Sequence, residues 1–270
     1  MFYPVSCTDP CGRSFVIEKL PRRVVSLVPS QTEFLIEAGL QERLVGITKY
    51  CIHPRREIKG IQKVGGTKDA DVAKILSLKP DLIVANKEEN TPELIGALEK
   101  SVPCWVSDIS CLDDALMMMQ TLGEILDLEA SSKLIARNIQ QGFEKLLEFS
   151  QPQQGFRVLY LIWREPYMAA GSDTFINDML WQLGCQNVIS EKRYPVLNQE
   201  DINTLRPDLI FLSSEPYHFQ AAHQQELQSL APWAQVVLVD GELFSWYGSR
   251  LEKSVAYFTE LRKTVLKPHP

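Results

Sequence analysis

Residues 78–84, with the sequence Leu-Lys-Pro-Asp-Leu-Ile-Val, recur in altered form at 205–211 as Leu-Arg-Pro-Asp-Leu-Ile-Phe. In each copy, a basic residue and a Pro-Asp pair stand directly before a short apolar run, which is typical of a buried strand. In the first copy, a short helix is predicted just upstream, over residues 71–78. The same strand signal in both halves of the chain indicates two similar lobes.

A second repeated pair lies upstream in each half. Residues 23–27 (Arg-Val-Val-Ser-Leu) lead to Ser-Gln-Thr at 30–32, and residues 157–161 (Arg-Val-Leu-Tyr-Leu) lead to Ser-Asp-Thr at 172–174. The order of the pieces is the same in both halves, and strands alternate with helices. This alternation predicts an α/β fold with a parallel sheet in each lobe and right-handed crossovers. Small ligands usually bind in clefts at domain interfaces, so we expect a ligand cleft between the two lobes.

Local signals place several helix starts. Ser30 is predicted to cap the first helix, with Glu33 three residues later completing a capping box. Thr91 followed by Pro92 predicts another helix start, with an acidic residue in its first turn. Ser172 is likewise interpreted as a helix cap and not as a nucleophile.

A long helix is predicted in the middle of the chain. No proline occurs between residues 112 and 149. Apolar residues recur there at helical spacing, which predicts a helix of roughly 20 residues, about 30 Å long. We interpret it as a spine that joins the lobes. The predicted organisation is therefore an N-terminal lobe at 1–128, a connecting spine helix at 129–150 and a C-terminal lobe at 151–270.

The composition is that of a soluble globular protein. The chain has 270 residues, 45% of them hydrophobic and 23% charged, and a formal net charge of -6. An acidic protein without a basic footprint is not expected to bind nucleic acid. No apolar run approaches the roughly 18 residues of a membrane span. The first residues contain neither a basic leader nor an apolar signal core, so two alternatives stay open: a leader removed beforehand, or a cytosolic protein.

The six cysteines form no Cys-x-x-Cys pair, and thiols without a framework favour a reducing compartment. Dispersed cysteines in apolar strands are usually small core residues. Two of them flank a turn signal at 9–10 and could meet across a tight loop. The six are Cys7, Cys11, Cys51, Cys104, Cys111 and Cys185.

Aromatic residues are the strongest candidates for ligand binding. Several stand in segments that follow predicted strands, where parallel sheets present their ligand-facing loops. Flat rings cover a large planar ligand while few rotatable bonds become fixed. Arg250 is added as a donor for an anionic group of the ligand. By contrast, Trp105 and Trp181 lie in apolar patterns and are predicted to pack in the core. The aromatic candidates are Tyr50, Trp163, Tyr167, Tyr194, Phe244, Trp246 and Tyr247.

Metal sites and catalytic motifs are not indicated. The spacing of the histidines matches no recognised zinc or iron pattern. The chain has no Gly-x-Ser-x-Gly, no phosphate loop and no Gly-x-Gly-x-x-Gly motif. We therefore predict no catalytic residue, no metal ligand and no cofactor. The four histidines are His53, His218, His223 and His269.

Several motifs together resemble one known family. They are Thr-Asp at 8–9 with Gly-Arg at 12–13, the run Pro-Arg-Arg-Val-Val-Ser-Leu at 21–27, Pro-Ser-Gln-Thr-Glu at 29–33, and Leu-Lys-Pro-Asp-Leu-Ile at 78–83. The chain resembles the periplasmic substrate-binding proteins of ABC importers, whose two lobes are joined by one long helix. The sequence at 45–50 is most similar to that of the cobalamin-binding branch. The chain differs from that branch at Asn86 and His53, where the branch has aromatic residues.

The resemblance implies a function. It implies a monomer that captures a cobalamin-like corrinoid, a ferric siderophore or another metal chelate, in the periplasm, without covalent chemistry. It also implies that one glutamate on each lobe docks onto the membrane subunits of the transporter, and Glu93 and Glu200 stand at the matching positions. The alternative is a cytosolic enzyme or chelate-handling protein built on the same two-lobed fold.

Overall fold

The structure, a computed structural model, describes residues 3–148 and 155–266. The chain divides into two compact units. Unit 1 comprises Met1–Ile109, Asp113–Ile139 and Tyr247–Arg250; unit 2 comprises Ser110–Leu112, Gln140–Trp246 and Leu251–Pro270. The predicted spine segment is thus shared between the units, with residues 129–139 in unit 1 and the rest in unit 2. Residues 149–150, its predicted end, lie outside the described residues.

Unit 1 contains a five-stranded sheet in the order β5-β4-β3-β6-β7, and a separate two-stranded hairpin, β1-β2. Every pair in the five-stranded sheet is parallel, as the alternation of strands and helices predicts. The elements up to the middle of the chain are β1 (Val5–Thr8), β2 (Ser14–Ile17), β3 (Val24–Ser26), α1 (Pro29–Glu37), β4 (Leu44–Ile47), β5 (Gln62–Lys63), α2 (Val72–Ser77), β6 (Leu82–Asn86), α3 (Pro92–Leu98), β7 (Cys104–Ser107), α4 (Leu112–Ile125) and α5 (Glu129–Glu148).

Unit 2 contains the path β11-β9-β8-β12-β13, with β10 paired to β8. The central strands are parallel, as predicted. The sheet also has two antiparallel strands at one edge, β9 and β11, which the repeat did not reveal. The remaining elements are β8 (Arg157–Trp163), β9 (Tyr167–Ala169), α6 (Phe175–Gln182), β10 (Gln186–Asn187), β11 (Val196–Leu197), α7 (Gln199–Leu205), β12 (Leu209–Ser213), α8 (Ala221–Leu230), β13 (Gln235–Val239), α9 (Glu242–Ser245) and α10 (Leu251–Thr264).

Each sheet packs helices against its apolar strands. The central strands β3 and β6 of unit 1 are buried along their whole length, as is β12 of unit 2. Continuous burial explains why these strands are apolar at successive residues and not at alternate ones. Among the described residues, no helix is both long and apolar enough to cross a lipid bilayer.

The Pro-Asp repeat has a hydrogen-bonding role in unit 1. The side chain of Arg23, just before β3, donates from Nε to the carbonyl oxygens of Leu78 (2.9 Å) and Lys79 (3.2 Å), where α2 ends. In return, Asp81 Oδ2 accepts from the backbone N–H groups of Arg22 (2.9 Å) and Arg23 (3.1 Å). The Arg–Asp clasp therefore satisfies backbone groups at a helix end and a strand start together.

The same clasp recurs in unit 2. Arg157, at the start of β8, donates to the carbonyl oxygens of Arg206 (3.0 Å) and Leu205 (2.8 Å), at the end of α7. Asp208 Oδ2 accepts from the backbone N–H of Arg157 at 2.8 Å. The basic residues of the two repeats, Lys79 and Arg206, both have positive φ (48° and 44°), so the chain turns at equivalent places. The sequence repeat is therefore a repeat of one structural connection.

Two predicted helix caps are wrong, and one is confirmed. Helix α1 begins at Pro29 with Val28 as its N-cap and no side-chain cap, because Pro at the first position places Ser30 inside the helix. Helix α6 is capped by Thr174 and not by Ser172, whose hydroxyl donates to the Ser190 carbonyl at 2.8 Å. Thr91 caps α3 as predicted.

The predicted long helix is present as α5, 20 residues from Glu129 to Glu148. Its first turn is tied to unit 1 by Ser131, whose hydroxyl donates to the Ala38 carbonyl at 2.7 Å. Within unit 2, Arg262 of α10 donates to carbonyl oxygens at the ends of two helices, Leu146 of α5 and Leu183 after α6. Both ends of this helix are therefore held by side chains that satisfy backbone carbonyls.

We predict that Asp81→Ala lowers the free energy of unfolding by about 1–3 kcal/mol, because two backbone N–H groups lose a charged acceptor. Urea-induced unfolding measures the change. Lys19→Ala is the matched control: Lys19 lies 3.9 Å from Asp81 Oδ1 with its side chain 78% exposed, so we expect a loss below about 0.5 kcal/mol. Equal losses in the two variants would show that the ion pair, and not the backbone clasp, is the stabilising contact.

Candidate functional site

The carboxyl ends of the parallel strands of unit 1 carry a buried polar network. Asn86, the last residue of β6, donates from Nδ2 to Ser107 Oγ at 3.0 Å, and Ser107 ends the neighbouring strand β7. Gln31 of α1 donates to the same hydroxyl at 2.6 Å. All three side chains are buried. The network fixes two adjacent strand ends to each other and to α1 at the edge where parallel sheets bind ligands.

The loop after β6 is fixed by the same kind of bonding. Asn86 Oδ1 accepts from the backbone N–H groups of Glu88 (2.8 Å) and Glu89 (3.1 Å). The side chain of Asn90 donates to the Thr67 carbonyl at 2.7 Å. Burial raises the pKa of Glu89 above its usual value, and nearby Lys68 opposes the shift. The Asn at 86, where the resembling branch has an aromatic, therefore acts as a loop-fixing residue.

Tyr50 is an exposed aromatic residue on a fixed support. It follows β4, its ring is 52% exposed, and Lys49 Nζ lies 5.1 Å from the ring centroid. The adjacent Cys51 is buried, with its sulfur 3.2 Å from both the Thr32 and the Thr48 hydroxyl. Burial raises the pKa of the Cys51 thiol, so it stays protonated near neutral pH and serves as packing. Tyr50 is thus available to a ligand at the ligand-facing edge of the sheet.

In unit 2, Trp163 is the exposed ring at the end of β8. It is 40% exposed and packs edge-on against Tyr217, with the ring centroids 5.6 Å apart. Tyr217 lies in the segment after β12, so it comes from the neighbouring parallel strand. Sequence reasoning missed Tyr217, although it too follows an apolar strand and the same rule could have found it.

An ionic cluster adjoins Trp163. Arg164 Nη2 donates to Glu226 Oε2 at 2.9 Å, and the Tyr167 hydroxyl donates to Glu226 Oε1 at 2.9 Å. Burial, together with the bond to the Glu226 carboxylate, raises the pKa of Tyr167 to about 12. Tyr167 is therefore a neutral hydrogen-bond donor at physiological pH. Glu226, on α8, was also missed, because nothing in its local sequence marks it.

Three aromatic residues of the predicted ligand-binding set, Phe244, Trp246 and Tyr247, are buried. Phe244 is fully buried and packs between Tyr160 (5.1 Å between centroids) and Phe258 (4.7 Å), so it belongs to the core of unit 2. Trp246 is only 8% exposed, and its Nε1 donates to Glu215 Oε1 at 3.0 Å. Tyr247 is equally buried. The short helix α9 turns these rings inward, which a mixed polar and aromatic sequence did not indicate.

Arg250 is occupied by a protein carboxylate. Its Nε and Nη2 donate to the two oxygens of Glu33 at 2.8 and 2.9 Å, and both side chains are buried within unit 1. This bidentate pair corrects the prediction of a fork offered to an anionic ligand, since an excellent partner already fills it. It also explains why Glu33 completes no capping box. The pair is accommodated by Gly248, where a Cβ atom would collide with the Ser30 carbonyl oxygen.

The other predicted site residues are scattered. Tyr194 is half-buried before β11, with the Arg193 guanidinium 5.9 Å from its ring centroid. Glu93 and Glu200 are exposed in the first turns of α3 and α7. The core prediction holds for Trp105, which is 1% exposed, and is wrong for Trp181, which is 59% exposed on α6.

The described residues contain neither a metal-binding cluster nor a disulfide. Over residues 3–148 and 155–266, no group of three or more His, Cys, Asp or Glu side chains is arranged to hold a metal ion. Cys7 and Cys11 form no disulfide, and neither do the other four cysteines, all of which are described. His269 lies outside the described residues.

The fold matches solved solute-binding proteins over almost their whole length. A periplasmic heme-binding protein from Pseudomonas aeruginosa aligns with a TM-score of 0.79 at 21% identity, covering 93% of this chain and 96% of that chain. The periplasmic vitamin B12 binding protein of Vibrio cholerae aligns with a TM-score of 0.74 at 22% identity, covering 91% and 99%. The fold is therefore that of the periplasmic solute-binding class, as the sequence predicted.

The family model described as periplasmic binding protein matches residues 24–237, the larger part of the sequence. The chain belongs to the periplasmic binding protein family. The resemblance to the substrate-binding components of ABC importers is thereby confirmed. The chain is a solute-binding protein and not an enzyme.

Curated relatives agree with this assignment. An uncharacterized ABC transporter substrate-binding lipoprotein of Bacillus subtilis is 25% identical over 270 residues, covering 96% of this chain and 85% of the relative. A vitamin B12-binding protein of Pectobacterium carotovorum is 26% identical over 237 residues, covering 86% of this chain and 85% of the relative.

We predict that breaking the Glu33–Arg250 pair from one side lowers the free energy of unfolding by about 3–5 kcal/mol, because the remaining buried charge has no counter-ion. Glu33→Met and Arg250→Met are the single variants, measured by urea unfolding. The double variant Glu33→Met/Arg250→Met should lose less than the sum of the single variants, since no charge is left buried. Additive losses in this double-mutant cycle would contradict a direct pair.

Two tryptophans give a matched test of burial. Trp246→Ala is expected to lower the free energy of unfolding by about 3–5 kcal/mol, as for a core aromatic. Trp163→Ala is expected to cost less than about 1.5 kcal/mol, because its ring is largely exposed. Denaturant melts of both variants decide this. If Trp246→Ala lowered the free energy of unfolding only slightly, at an unchanged denaturant slope, Trp246 would not be a core residue.

Proposed function

We propose that this protein captures a cobalamin-like corrinoid or a related metal chelate and delivers it to the membrane subunits of an ABC importer. The observation that carries the proposal is a pair of exposed aromatic side chains at the carboxyl ends of parallel strands, Tyr50 in unit 1 and Trp163 in unit 2. Large planar ligands are bound economically by such rings, since few rotatable bonds become fixed. Family membership and the vitamin B12-binding relatives support the same ligand class.

The supports beneath these rings fit a binding role. Asn86 and Ser107 hold the strand ends and loops of unit 1 in place, and Glu226 holds Arg164 and Tyr167 beside Trp163. Preorganised groups lose little freedom when a ligand binds, so more of the contact energy appears as affinity. Tyr167, with its raised pKa, offers a neutral polar contact. Tyr194 stays in the proposed ligand set as a half-buried ring near the edge of the sheet of unit 2.

Heme is the second candidate ligand. The solved structures with the same fold include heme-binding proteins, and the macrocycle of heme is planar like a corrin. At 21% identity, that likeness supports the fold and leaves the choice of chelate to experiment. The presence of Asn86 and His53, where cobalamin binders of the resembling branch have aromatic residues, is the sequence feature that favours a different chelate.

We also propose that Glu93 and Glu200 dock onto basic pockets of the membrane subunits, that the protein acts as a monomer, and that it works outside the cytosol. The two glutamates are exposed in the first turns of α3 and α7, so each carboxylate is free to meet a partner. The Bacillus subtilis relative is a lipoprotein, which supports the location. Fractionation of the native host, with immunodetection of this protein, tests that location.

Isothermal titration with cobalamin, cobinamide and heme tests the ligand. We expect a corrinoid to bind with a dissociation constant below about 10 µM. Tyr50→Ala and Trp163→Ala should each weaken binding about 30-fold, the loss of an aromatic anchor. Trp181→Ala is the matched control, since Trp181 is an exposed tryptophan on α6, away from the strand ends, and should leave affinity unchanged.

Two outcomes would contradict the corrinoid assignment. Binding of heme alone would keep the site and change the ligand. If Trp181→Ala weakened binding as much as Trp163→Ala, the proposal that the ligand binds at the strand ends would be contradicted.

Docking is tested separately: Glu93→Arg and Glu200→Arg should lower ligand-stimulated ATP hydrolysis by the reconstituted importer. Glu124→Arg, an exposed glutamate on α4, should leave that rate unchanged.

A further inference from the structure

Strand β7 is an open edge of the sheet of unit 1, because it is last in the strand order and, within 3–148 and 155–266, pairs with no strand other than β6. The backbone N–H of Ile83 donates to the Pro103 carbonyl at 2.9 Å, and that of Lys87 to the Ser107 carbonyl at 2.9 Å. Alternate residues of a strand direct their backbone groups to opposite sides. The backbone groups of Cys104 and Val106 therefore point away from β6, toward the open edge.

Two side chains from the loop of the N-terminal hairpin form hydrogen bonds with these outward-facing backbone groups. Asp9 Oδ2 accepts from the backbone N–H of Val106 at 3.1 Å. Arg13 Nη2 donates to the carbonyl oxygen of Cys104 at 3.2 Å. One acceptor and one donor thus take the positions that the carbonyl and N–H of another strand would take. These are the Asp and Arg of the Thr-Asp and Gly-Arg motifs, which the binding function did not explain.

The hairpin is built to hold this carboxylate. Asp9 is 3% exposed, and its Oδ1 accepts from the backbone N–H groups of Cys11 (3.0 Å) and Arg13 (3.0 Å). Arg13 Nε donates to Asp9 Oδ2 at 3.0 Å. Gly12 has φ +78°, which lets the five-residue loop turn tightly. Burying a carboxylate costs free energy, and this many hydrogen-bond donors offset that cost.

The strand beneath is one that needs protection. Strand β7, Cys-Trp-Val-Ser at 104–107, is uncharged and apolar except for its serine, and its aromatic and β-branched residues favour strand formation. Exposed edges of such strands pair with other chains. An edge strand that pairs with its own copy about a two-fold axis makes a closed, self-complementary contact. The structure therefore places two polar side chains over the segment most prone to such pairing.

We propose that Asp9 and Arg13 form an edge lock, which holds the hairpin β1–β2 against β7 and keeps β7 from pairing with the β7 of a second copy of this chain. The lock acts through two backbone groups, so it depends on the fork of Arg13 and the carboxylate of Asp9 and not on net charge. It is independent of ligand binding, because both residues lie on the hairpin and not at the carboxyl ends of the strands.

The test uses the whole protein with Arg13→Lys, Arg13→Ala and Asp9→Asn. At dilutions where the variants are monomeric, amide hydrogen exchange of Val106 is expected to quicken about tenfold or more in both variants, because Asp9→Asn weakens the acceptor of its N–H and Arg13→Ala removes the guanidinium that holds that acceptor. Trp105, whose backbone groups face β6, should keep its protection. Sedimentation velocity across a dilution series should show a dimer in both variants and a monomer in the wild type. Arg13→Lys keeps the charge beside Asp9 and so the fold, and it should open the edge partly.

Two further variants separate the lock from general stability. Glu99→Ala removes the other carboxylate of Arg13, 3.2 Å from Nη1, and should leave Val106 exchange and the monomer unchanged. Val106→Pro in the Arg13→Ala background removes the outward N–H, which an edge strand tolerates, and should restore the monomer. Monomeric Arg13→Ala and Asp9→Asn with wild-type exchange at Val106, or faster exchange at all amides alike, would overturn the proposal.

Discussion

The hydrogen bonding of backbone groups where a helix ends and a strand begins shapes both units. An arginine at the start of the first strand donates to carbonyl oxygens at the end of a neighbouring helix, and an aspartate accepts from the backbone at the same strand start. Arg23 with Asp81, and Arg157 with Asp208, do this in the same register relative to β3–β6 and β8–β12. Since these strands are the centre of each sheet, their pairing sets where every other strand begins and ends.

A parallel sheet collects its carboxyl ends at one edge, and the residues there divide into two kinds. Buried amides and hydroxyls such as Asn86 and Ser107 bond to backbone and to each other, so they hold loops still. Aromatic residues such as Tyr50 in unit 1 and Trp163 in unit 2 keep part of their area open to solvent. A ligand that covers the rings gains hydrophobic area without having to order the loops beneath them.

Buried charge in this protein is always met by several partners. Glu33 and Arg250 form a two-bond pair, and Asp9 receives backbone and guanidinium donors together. The Glu33–Arg250 pair connects segments 217 residues apart in sequence, and Asp9 also accepts from the backbone N–H of Val106, 97 residues away. Such contacts select one arrangement over others that apolar packing alone would allow. The same principle explains why Arg250, which the sequence suggested could bind a ligand, is paired with Glu33 in the folded chain.

The sequence by itself determined the α/β class, the parallel central strands, the long helix α5 and the family, because these depend on local periodicity and on short motifs with fixed meaning. It also predicted Tyr50 and Trp163 as ligand-binding candidates from their position at or after strand ends, and both are exposed. The tertiary structure decided which rings stay exposed: Phe244 and Trp246 turn inward through α9, and Trp181 faces outward on α6. It alone paired Arg250 with Glu33 and Tyr167 with Glu226. Such contacts join residues distant in the chain, and local sequence carries no record of which distant partner a side chain will meet.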